Sequence, residues 1–320
     1  MDIVEVNDPA DGELDAWHAL VSSVHTHDHP EEPSPEPSQT VGWLLGGVPR
    51  RMWAVPHEDG FGAVASLRLP GDAAVRAGEI EIHVHPGLRR RGVGTRLLRS
   101  AAGALRADQR ATAIAQALAG TPAVPFLESR GFGCVLTTQG LVLRTDEARA
   151  RVETEGYAAL DPSGYRLIRW TGVVPDRLAA AFAMAKRAMA DHDEGESAWT
   201  PERVRETAEQ VAKRGDELYT VAALHGTRLA GFTEIVVPGD APERAFQYDT
   251  AVVPEHRGRR LGLWVKAAML RWLAEERPEI TEIETDNADD NEHMLAVNEA
   301  LGFRPLREYR EYQATASDLP

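Results

Sequence analysis

Two basic, glycine-punctuated loops hold the residues of this 320-residue chain best suited to chemistry. The first reads Pro86-Gly87-Leu88-Arg89-Arg90-Arg91-Gly92-Val93-Gly94, and the second Pro254-Glu255-His256-Arg257-Gly258-Arg259-Arg260-Leu261-Gly262. Each follows a short strand-like run and opens an amphipathic helix. A strand that turns through such a loop into a helix presents several backbone N–H groups at one point. The helix dipole adds partial positive charge there, and the arginines add full charge. That arrangement suits a pyrophosphate. The candidate contacts are Arg89, Arg91, Gly92 and Gly94 in the first loop, and Arg257, Gly258, Arg259, Arg260, Leu261 and Gly262 in the second.

The loops belong to a set of markers that recur in one order. Arg89 and Arg257 stand 168 residues apart, Gly131-Phe132 and Gly302-Phe303 171, and His27-Asp28 and His192-Asp193 165. Three markers at nearly one offset mean two homologous repeats rather than a solenoid. The length agrees with two domains of roughly 150 residues each. The expected boundaries are an N-terminal domain over 1–144, a linker over 145–164 and a C-terminal domain over 165–320. The linker reading rests on a charged stretch that becomes rich in Gly, Pro and Ser.

Composition narrows the partners. The formal charge of −15 argues against nucleic acid, which needs a clustered positive face. Cys134 is the lone cysteine, so no intramolecular disulfide forms and a reducing, cytoplasmic setting is expected. Met1-Asp2-Ile3-Val4-Glu5 does not read as a signal peptide, and no apolar run has the length of a membrane span. A monomer or homodimer without a membrane partner is expected. The closely spaced His25, His27, Asp28 and His29 read as solvated loop residues, so no metal is expected.

The elements that must position the loops follow from periodicity. In the first repeat Ile3–Val6 is strand-like, and Leu14, Trp17, Leu20, Val21 and Val24 form a helical stripe. Pro30 to Pro37 is a loop. Gly62–Leu69 and Glu79–Val84 are strands, and Val93, Leu97, Leu98, Ala101 and Leu105 share one face of the helix after the loop. Ala111–Ala115, Val124–Ser129 and Val135–Leu143 complete the repeat as strand, short helix and strand. In the second repeat Tyr165–Trp170 is a strand, Pro175–Ala190 a helix, and Pro201 opens another helix. Strands are expected at Tyr219–Leu224, Ala230–Val237, Phe246–Val253, Ile280–Glu284 and Tyr309–Gln313. Helices are expected at Leu261–Ala274 and Asn291–Ala300. Such mixtures imply one sheet covered by helices in each repeat.

Arg89-x-x-Gly92-x-Gly94 after Val84-His85-Pro86 resembles the acyl-CoA pyrophosphate loop of the GNAT N-acetyltransferase family. The second repeat adds Asn291-x-x-Met294-x-x-x-Asn298 and Leu301-Gly302-Phe303 in the family's order, preceded by Thr285-Asp286-Asn287-Ala288. The resemblance covers nearly the whole chain as a tandem pair of the actinobacterial type. It implies an α/β (α+β) fold with two GNAT-like domains, each a mixed, mostly antiparallel sheet flanked by helices. It implies acetyl-CoA, or another acyl-CoA, as co-substrate and a small-molecule amine as acceptor. Asn291 would bond the pantetheine arm, with Asn287 and Asn298 beside it.

Residue chemistry fits that implication. A strand that splays from its neighbour leaves backbone groups free, and a pantetheine arm can pair with them as an added strand. That edge would be Ala251 to Val253. The N–H of Val252 or Val253 would hold the oxyanion. Glu234 and Asp249 are the candidate bases, with Glu234 favoured, and Tyr309 or Tyr248 would supply a phenol for the departing thiolate. The acidic loop with Asp191, His192 and Asp193, together with Trp199, would attract a cationic acceptor. Two departures stand out. The usual glycine of the second loop is Arg260, whose turn would have to keep φ negative. The position of Asn291 is Gly120 in the first repeat, which is therefore expected to be a structural or vestigial CoA partner. The leading reading is an acyl-CoA-dependent N-acetyltransferase active in the C-terminal repeat. The alternatives are a non-catalytic acyl-CoA-binding regulator, or an acyltransferase with an unusual donor in secondary metabolism.

Overall fold

The computed structural model describes residues 2–30, 34–46, 48–58, 60–70, 76–157, 160–187 and 199–320. They divide into two compact units. Unit 1 comprises Met1–Thr137 together with Glu308–Pro320, and unit 2 comprises Thr138–Arg307. In chain order unit 1 contains β1 (Val4–Val6), α1 (Asp11–Asp28), α2 (Pro37–Leu45), β2 (Arg50–His57), β3 (Gly60–Arg68), β4 (Ala77–Val84), α3 (Val93–Ala107), β5 (Thr112–Leu118) and α4 (Ala123–Glu128). Next come β6 (Gly133–Arg144), α5 (Thr145–Thr154), β7 (Tyr165–Thr171), α6 (Asp176–Arg187), α7 (Pro201–Lys213), β8 (Glu217–His225) and β9 (Arg228–Val237). The chain ends with β10 (Arg244–Val252), α8 (Leu261–Glu276), β11 (Glu282–Ala288), α9 (Glu292–Leu301) and β12 (Arg304–Thr315). Among the described residues no helix is long and apolar enough to cross a membrane.

The sheet of unit 1 runs β1-β2-β3-β4-β5-β12, and that of unit 2 runs β6-β11-β10-β9-β8-β7. Neighbours are antiparallel except for one parallel pair in each sheet, β4–β5 and β10–β11. These parallel pairs are short. Ala77–Glu79 pair with Thr112–Ile114, and Arg244–Phe246 with Glu282–Glu284, before the strands diverge. In unit 1 the apolar stripe of α3 (Val93, Leu97, Leu98, Ala101, Leu105) is buried against the sheet. In unit 2 α8 is buried on nearly every side, because its apolar residues are covered by the sheet and by α5 and α9.

The last strand of each repeat serves the other repeat's unit. β6 follows the Gly131-Phe132 marker, yet Thr138–Arg144 pair antiparallel with Ala288–Glu282 of β11. β12 follows the Gly302-Phe303 marker, yet Tyr309–Thr315 pair with Leu118–Thr112 of β5. Leu141 and Leu143 accordingly join the core of unit 2, whereas Tyr312 and Ala314 join that of unit 1. The units are thus not the sequential stretches 1–144 and 165–320. Within the stretch read as a linker, α5 buries Ala148 and Val152 in the core of unit 2.

Four local differences have physical causes. β2 escapes notice in the sequence because Arg50, Arg51 and Pro56 break its alternation, and its ladder with β3 shifts register at Val55/Pro56. α2 begins within the proline-rich stretch, at Pro37, where a proline suits a first helical turn. α1 continues through His25, His27 and Asp28, which are helical rather than loop residues. β11 starts at Glu282 and so carries Thr285, Asp286 and Asn287 on the sheet.

The exchange yields a prediction. Tyr312 is fully buried in the core of unit 1. Tyr312→Ala is expected to cost about 3–5 kcal/mol, as for other large aromatic truncations. Hydrogen exchange should accelerate in β5, and loss confined to β11 amides instead would contradict the assigned pairing.

Candidate functional site

The divergence of β10 from β11 leaves the β10 edge beyond Phe246 without a partner strand among the described residues. The closed end of this opening is tied by an ion pair between Arg244 and Glu284, and Arg307 donates to the other Glu284 oxygen at 2.6 Å. At the open end the Val253 N–H donates to the Ala230 carbonyl at 2.9 Å. Alternation along an antiparallel ladder then turns the Val252 N–H the other way, into the opening. Of the two amides expected as oxyanion donors, Val252 is available and Val253 is taken.

The loop after β10 makes one short turn, Pro254–His256, and then passes into α8. Arg257 Nε donates to the Val252 carbonyl at 3.2 Å, and Arg259 Nη1 donates to the Glu255 and Arg257 carbonyls. The first intrahelical bond runs from the Trp264 N–H to the Arg260 carbonyl. Among the described residues the amides of Leu261, Gly262 and Leu263 therefore have no backbone acceptor, the ordinary condition of a helix head. They face a cavity of about 240 Å³ lined by Val252, Arg257, Gly258, Gly262 and Leu263 on one side and by His293, Ala296 and Val297 of α9 on the other. A larger cavity, about 370 Å³, lies between α5 and the C-terminal half of α8, at the far end of that helix from the loop.

Unit 1 repeats the backbone of this site but not its openness. The His85 N–H donates to the Gly62 carbonyl, and Arg89 Nε to the Val84 carbonyl, matching Val253 and Arg257. The rest of the Arg89 guanidinium is held bidentately by Asp28, at 2.7 and 2.8 Å. Burial works to raise the Asp28 carboxyl, but hydrogen bonds from Arg89 and His27 outweigh it and hold the group below its ordinary value. The Phe126 ring of α4 approaches to 3.4 Å of the space a Cβ at Gly94 would occupy, so the helix head is covered by an aromatic side chain.

The two loops place glycine differently in the same turn. Both have two left-handed positions. These are Arg90 (φ 62°) and Gly92 (φ 79°) in unit 1, and Gly258 (φ 75°) and Arg260 (φ 58°) in unit 2. Arg260 does not adopt the negative φ that its side chain would favour. Each loop thus carries one strained arginine, at a cost of roughly 1–2 kcal/mol.

On the opposite face of unit 2, Glu234 and Asp249 meet through a lysine. Lys186 Nζ donates to Glu234 Oε2 at 2.5 Å and to Asp249 Oδ2 at 2.6 Å. Its ammonium lies 4.5 Å from the Trp199 ring centroid and 5.4 Å from those of Phe182 and Phe232. Asp249 reaches this point because β10 bulges. Gln247 faces Ile235 and Thr250 faces Thr233, so Tyr248 and Asp249 together oppose Glu234. Burial disfavours the charge on Lys186, but Glu234 and then Asp249 outweigh it and hold the ammonium above its ordinary value. Burial pushes the Glu234 carboxyl up against the pull of Lys186. The Glu234 side chain is 5% exposed and that of Asp249 37%.

Other residues singled out in the sequence take different places. Asn291 caps α9, its Oδ1 accepting from the Met294 N–H at 3.2 Å. Asn298 is fully buried; its Oδ1 accepts from Lys266, and its Nδ2 donates to Asn287 Oδ1 at 3.2 Å. Tyr309 pairs with Leu118 in the sheet of unit 1, so it is not part of the unit that contains Glu234 and Asp249. Tyr248 lies in the bulge, its Oη accepting from Arg214 at 3.3 Å. Asp191, His192 and Asp193 lie outside the described residues. The sequence reading missed Lys186 and Lys266. Lys186 follows Leu178, Ala179, Phe182 and Ala183 at core spacing on α6. A lysine in such a stripe must find a buried partner.

The family is decided by comparison. The model of the acetyltransferase (GNAT) family matches residues 14–132 and again 182–303. The chain belongs to the GNAT acetyltransferase family. This N-acetyltransferase is 29% identical over 313 residues to the mycothiol acetyltransferase of Sanguibacter keddieii, covering 94% of this chain and 92% of that one. Its fold matches a tandem GNAT protein from the clavulanic acid biosynthesis pathway with a TM-score of 0.80 and 26% identity, over 98% of each chain. A GCN5-related N-acetyltransferase from Sphaerobacter thermophilus shares the fold with a TM-score of 0.72 at 15% identity, covering 99% of this chain and 96% of that one.

Two predictions follow from the site's backbone and its buried lysine. Arg260→Gly is expected to relieve strain and raise stability by up to about 1 kcal/mol, while Gly258→Ala lowers it by about 1 kcal/mol, both read by thermal unfolding. Burial lowers the Lys266 pKa to about 7. The unfolded chain keeps that proton up to about pH 10.4, so it binds more protons than the fold between those values. Stability should therefore rise from pH 7 towards 10, and Lys266→Met should flatten this rise. An unchanged slope in the variant would show that Lys266 is not the group responsible.

Proposed function

We propose that this N-acetyltransferase transfers an acetyl group from acetyl-CoA to a small-molecule amine within unit 2. One observation carries the reading. The unpaired β10 edge, the unbonded amides at the head of α8 and the Glu234–Asp249 cluster all occur in one unit. Unit 1 keeps the loop but engages Arg89 with Asp28 and covers Gly94 with Phe126, which favours a structural role for it.

In this reading the pyrophosphate lies on the amides of Leu261, Gly262 and Leu263, with Arg257 and Arg259 adding charge. The pantetheine arm runs along β10 as an added strand. The thioester carbonyl accepts from the Val252 N–H. That bond strengthens as the oxygen becomes an oxyanion, an effect worth roughly 3–4 kcal/mol. The amine nitrogen attacks the carbonyl carbon, its proton passes to a carboxylate, and the carbon–sulfur bond breaks to release CoA thiolate, which takes a proton from solvent. Asp249 is the carboxylate an acceptor can reach. Glu234 is buried behind Lys186, which reverses the order favoured from sequence.

An assay of CoA thiol release over a panel of amines tests the reading. Asp249→Asn should lower kcat by about 10²-fold or more while acetyl-CoA affinity stays within about two-fold. Arg257→Ala should weaken acetyl-CoA binding by about 1.5–3 kcal/mol, the range for a hydrogen bond to a charged group. Full activity in Asp249→Asn would move the base to a water chain. A larger binding loss in Arg89→Ala than in Arg257→Ala would move the donor to unit 1.

A further inference from the structure

Lys186 lies outside the donor site and outside the chemistry assigned above, yet it is buried and bonded to Asp249. Its Nζ contacts one oxygen of each carboxylate, at 2.5 and 2.6 Å, inside a box formed by the rings of Phe182, Trp199 and Phe232. The residue is 4% exposed on a regular turn of α6, so the ammonium has little freedom. Asp249, by contrast, stands in a bulge, where two residues of β10 oppose one of β9 and the ladder is locally disrupted. Its Oδ2 accepts from Lys186. Among the described residues Oδ1 has no donor.

The first repeat supplies an internal comparison. At the offset of 168 residues, Ser66 stands for Glu234 and Glu81 for Asp249, and these two are direct cross-strand partners in a ladder without a bulge. Glu81 bonds to His83 of its own strand at 2.7 Å, and no lysine enters. The lysine, the buried glutamate and the bulge therefore occur together, in the unit with the open donor site.

We propose that Lys186 is the positioning residue of the acyl-transfer site, with Glu234 serving to hold the lysine and the lysine serving to hold Asp249 in the orientation that offers Oδ1 to the acceptor amine. The inference rests on the assignment of Asp249 as proton acceptor. Among the described residues the groups facing the ammonium are Glu234 from β9, Asp249 from β10 and the rings of Phe182, Phe232 and Trp199, and Arg203 of α7 packs against the last. Truncating Lys186 alone would strand Glu234 as an uncompensated buried charge and could unfold the unit. The informative variant is therefore Lys186→Met in a Glu234→Gln background, compared with Glu234→Gln itself, which keeps the Lys186–Asp249 pair.

The double variant should show kcat reduced by roughly ten-fold or more against Glu234→Gln, the scale expected when a reacting group loses its orientation. Acetyl-CoA and amine KM should change by less than about two-fold, because Lys186 touches neither in this arrangement. Lys186→Arg in the same background should recover most of the kcat, since a guanidinium can still hold Asp249. A second readout does not depend on turnover: the Asp249 carboxyl ¹³C resonance, assigned through Asp249→Asn, should move in the double variant and return in the arginine variant. Equal kcat in the double variant and Glu234→Gln, or an unmoved Asp249 resonance, would overturn the role of Lys186. Failure of wild-type protein to acetylate any amine, with the resonance responding as described, would instead contradict the proposed function and leave the Lys186–Asp249 contact standing.

Discussion

The site depends on an incomplete strand pairing. β10 and β11 run parallel over three residues and then part. A β-edge inside a covered sheet is costly unless something supplies the missing hydrogen bonds. Here the edge ends at the head of α8, whose amides are also unbonded and lie beside two arginines. One elongated anionic molecule with amide groups along its length can satisfy both. The Arg244–Glu284 pair fixes where the parting begins. The Arg257 bond to the Val252 carbonyl fixes the strand end against the loop.

Duplication shows which features are backbone geometry and which are chemistry. The helix-head loop, its two left-handed residues and the arginine bond to the strand's last carbonyl occur in both units. Those features follow from turning a strand into a helix in that space. The features that differ are the ones on which the proposed binding and reaction rest. Unit 1 pairs its arginine with Asp28, places Phe126 against Gly94 and has Ser66 where unit 2 has Glu234. Unit 2 has a bulge, a caged lysine and an open cavity. A fold common to both repeats thus leaves reactivity to a small set of side chains.

Much of this was legible in the sequence where the signal is local. Loops with Gly and Arg at fixed offsets, the 3.6 period of α3 and the apolar runs of β9 and β10 are all read within a dozen residues. The strand exchange was not legible. β6 and β12 are copies of one element, and an alternating pattern states that a strand has a buried face without stating which sheet covers it. The central pair was only half legible. Glu234 and Asp249 stood out as carboxylates, but the lysine that joins them lies 48 and 63 residues away in sequence, and contacts at that separation leave no local pattern. The Val252 and Val253 amides differ only through register against Ala230 and Gly231, which periodicity does not give. Tyr309 falls in unit 1, apart from Glu234 and Asp249, for the same reason as β12.

Hydrogen exchange of the intact protein with and without saturating acetyl-CoA tests the central claim most directly, because it reads backbone amides and locates the donor by unit. The account predicts slowed exchange at the amides of Leu261, Gly262 and Leu263 and at the Val252 edge of β10, with the corresponding amides of Val93, Gly94 and Thr95 unchanged. Protection at the head of α3 with none at the head of α8 would contradict it.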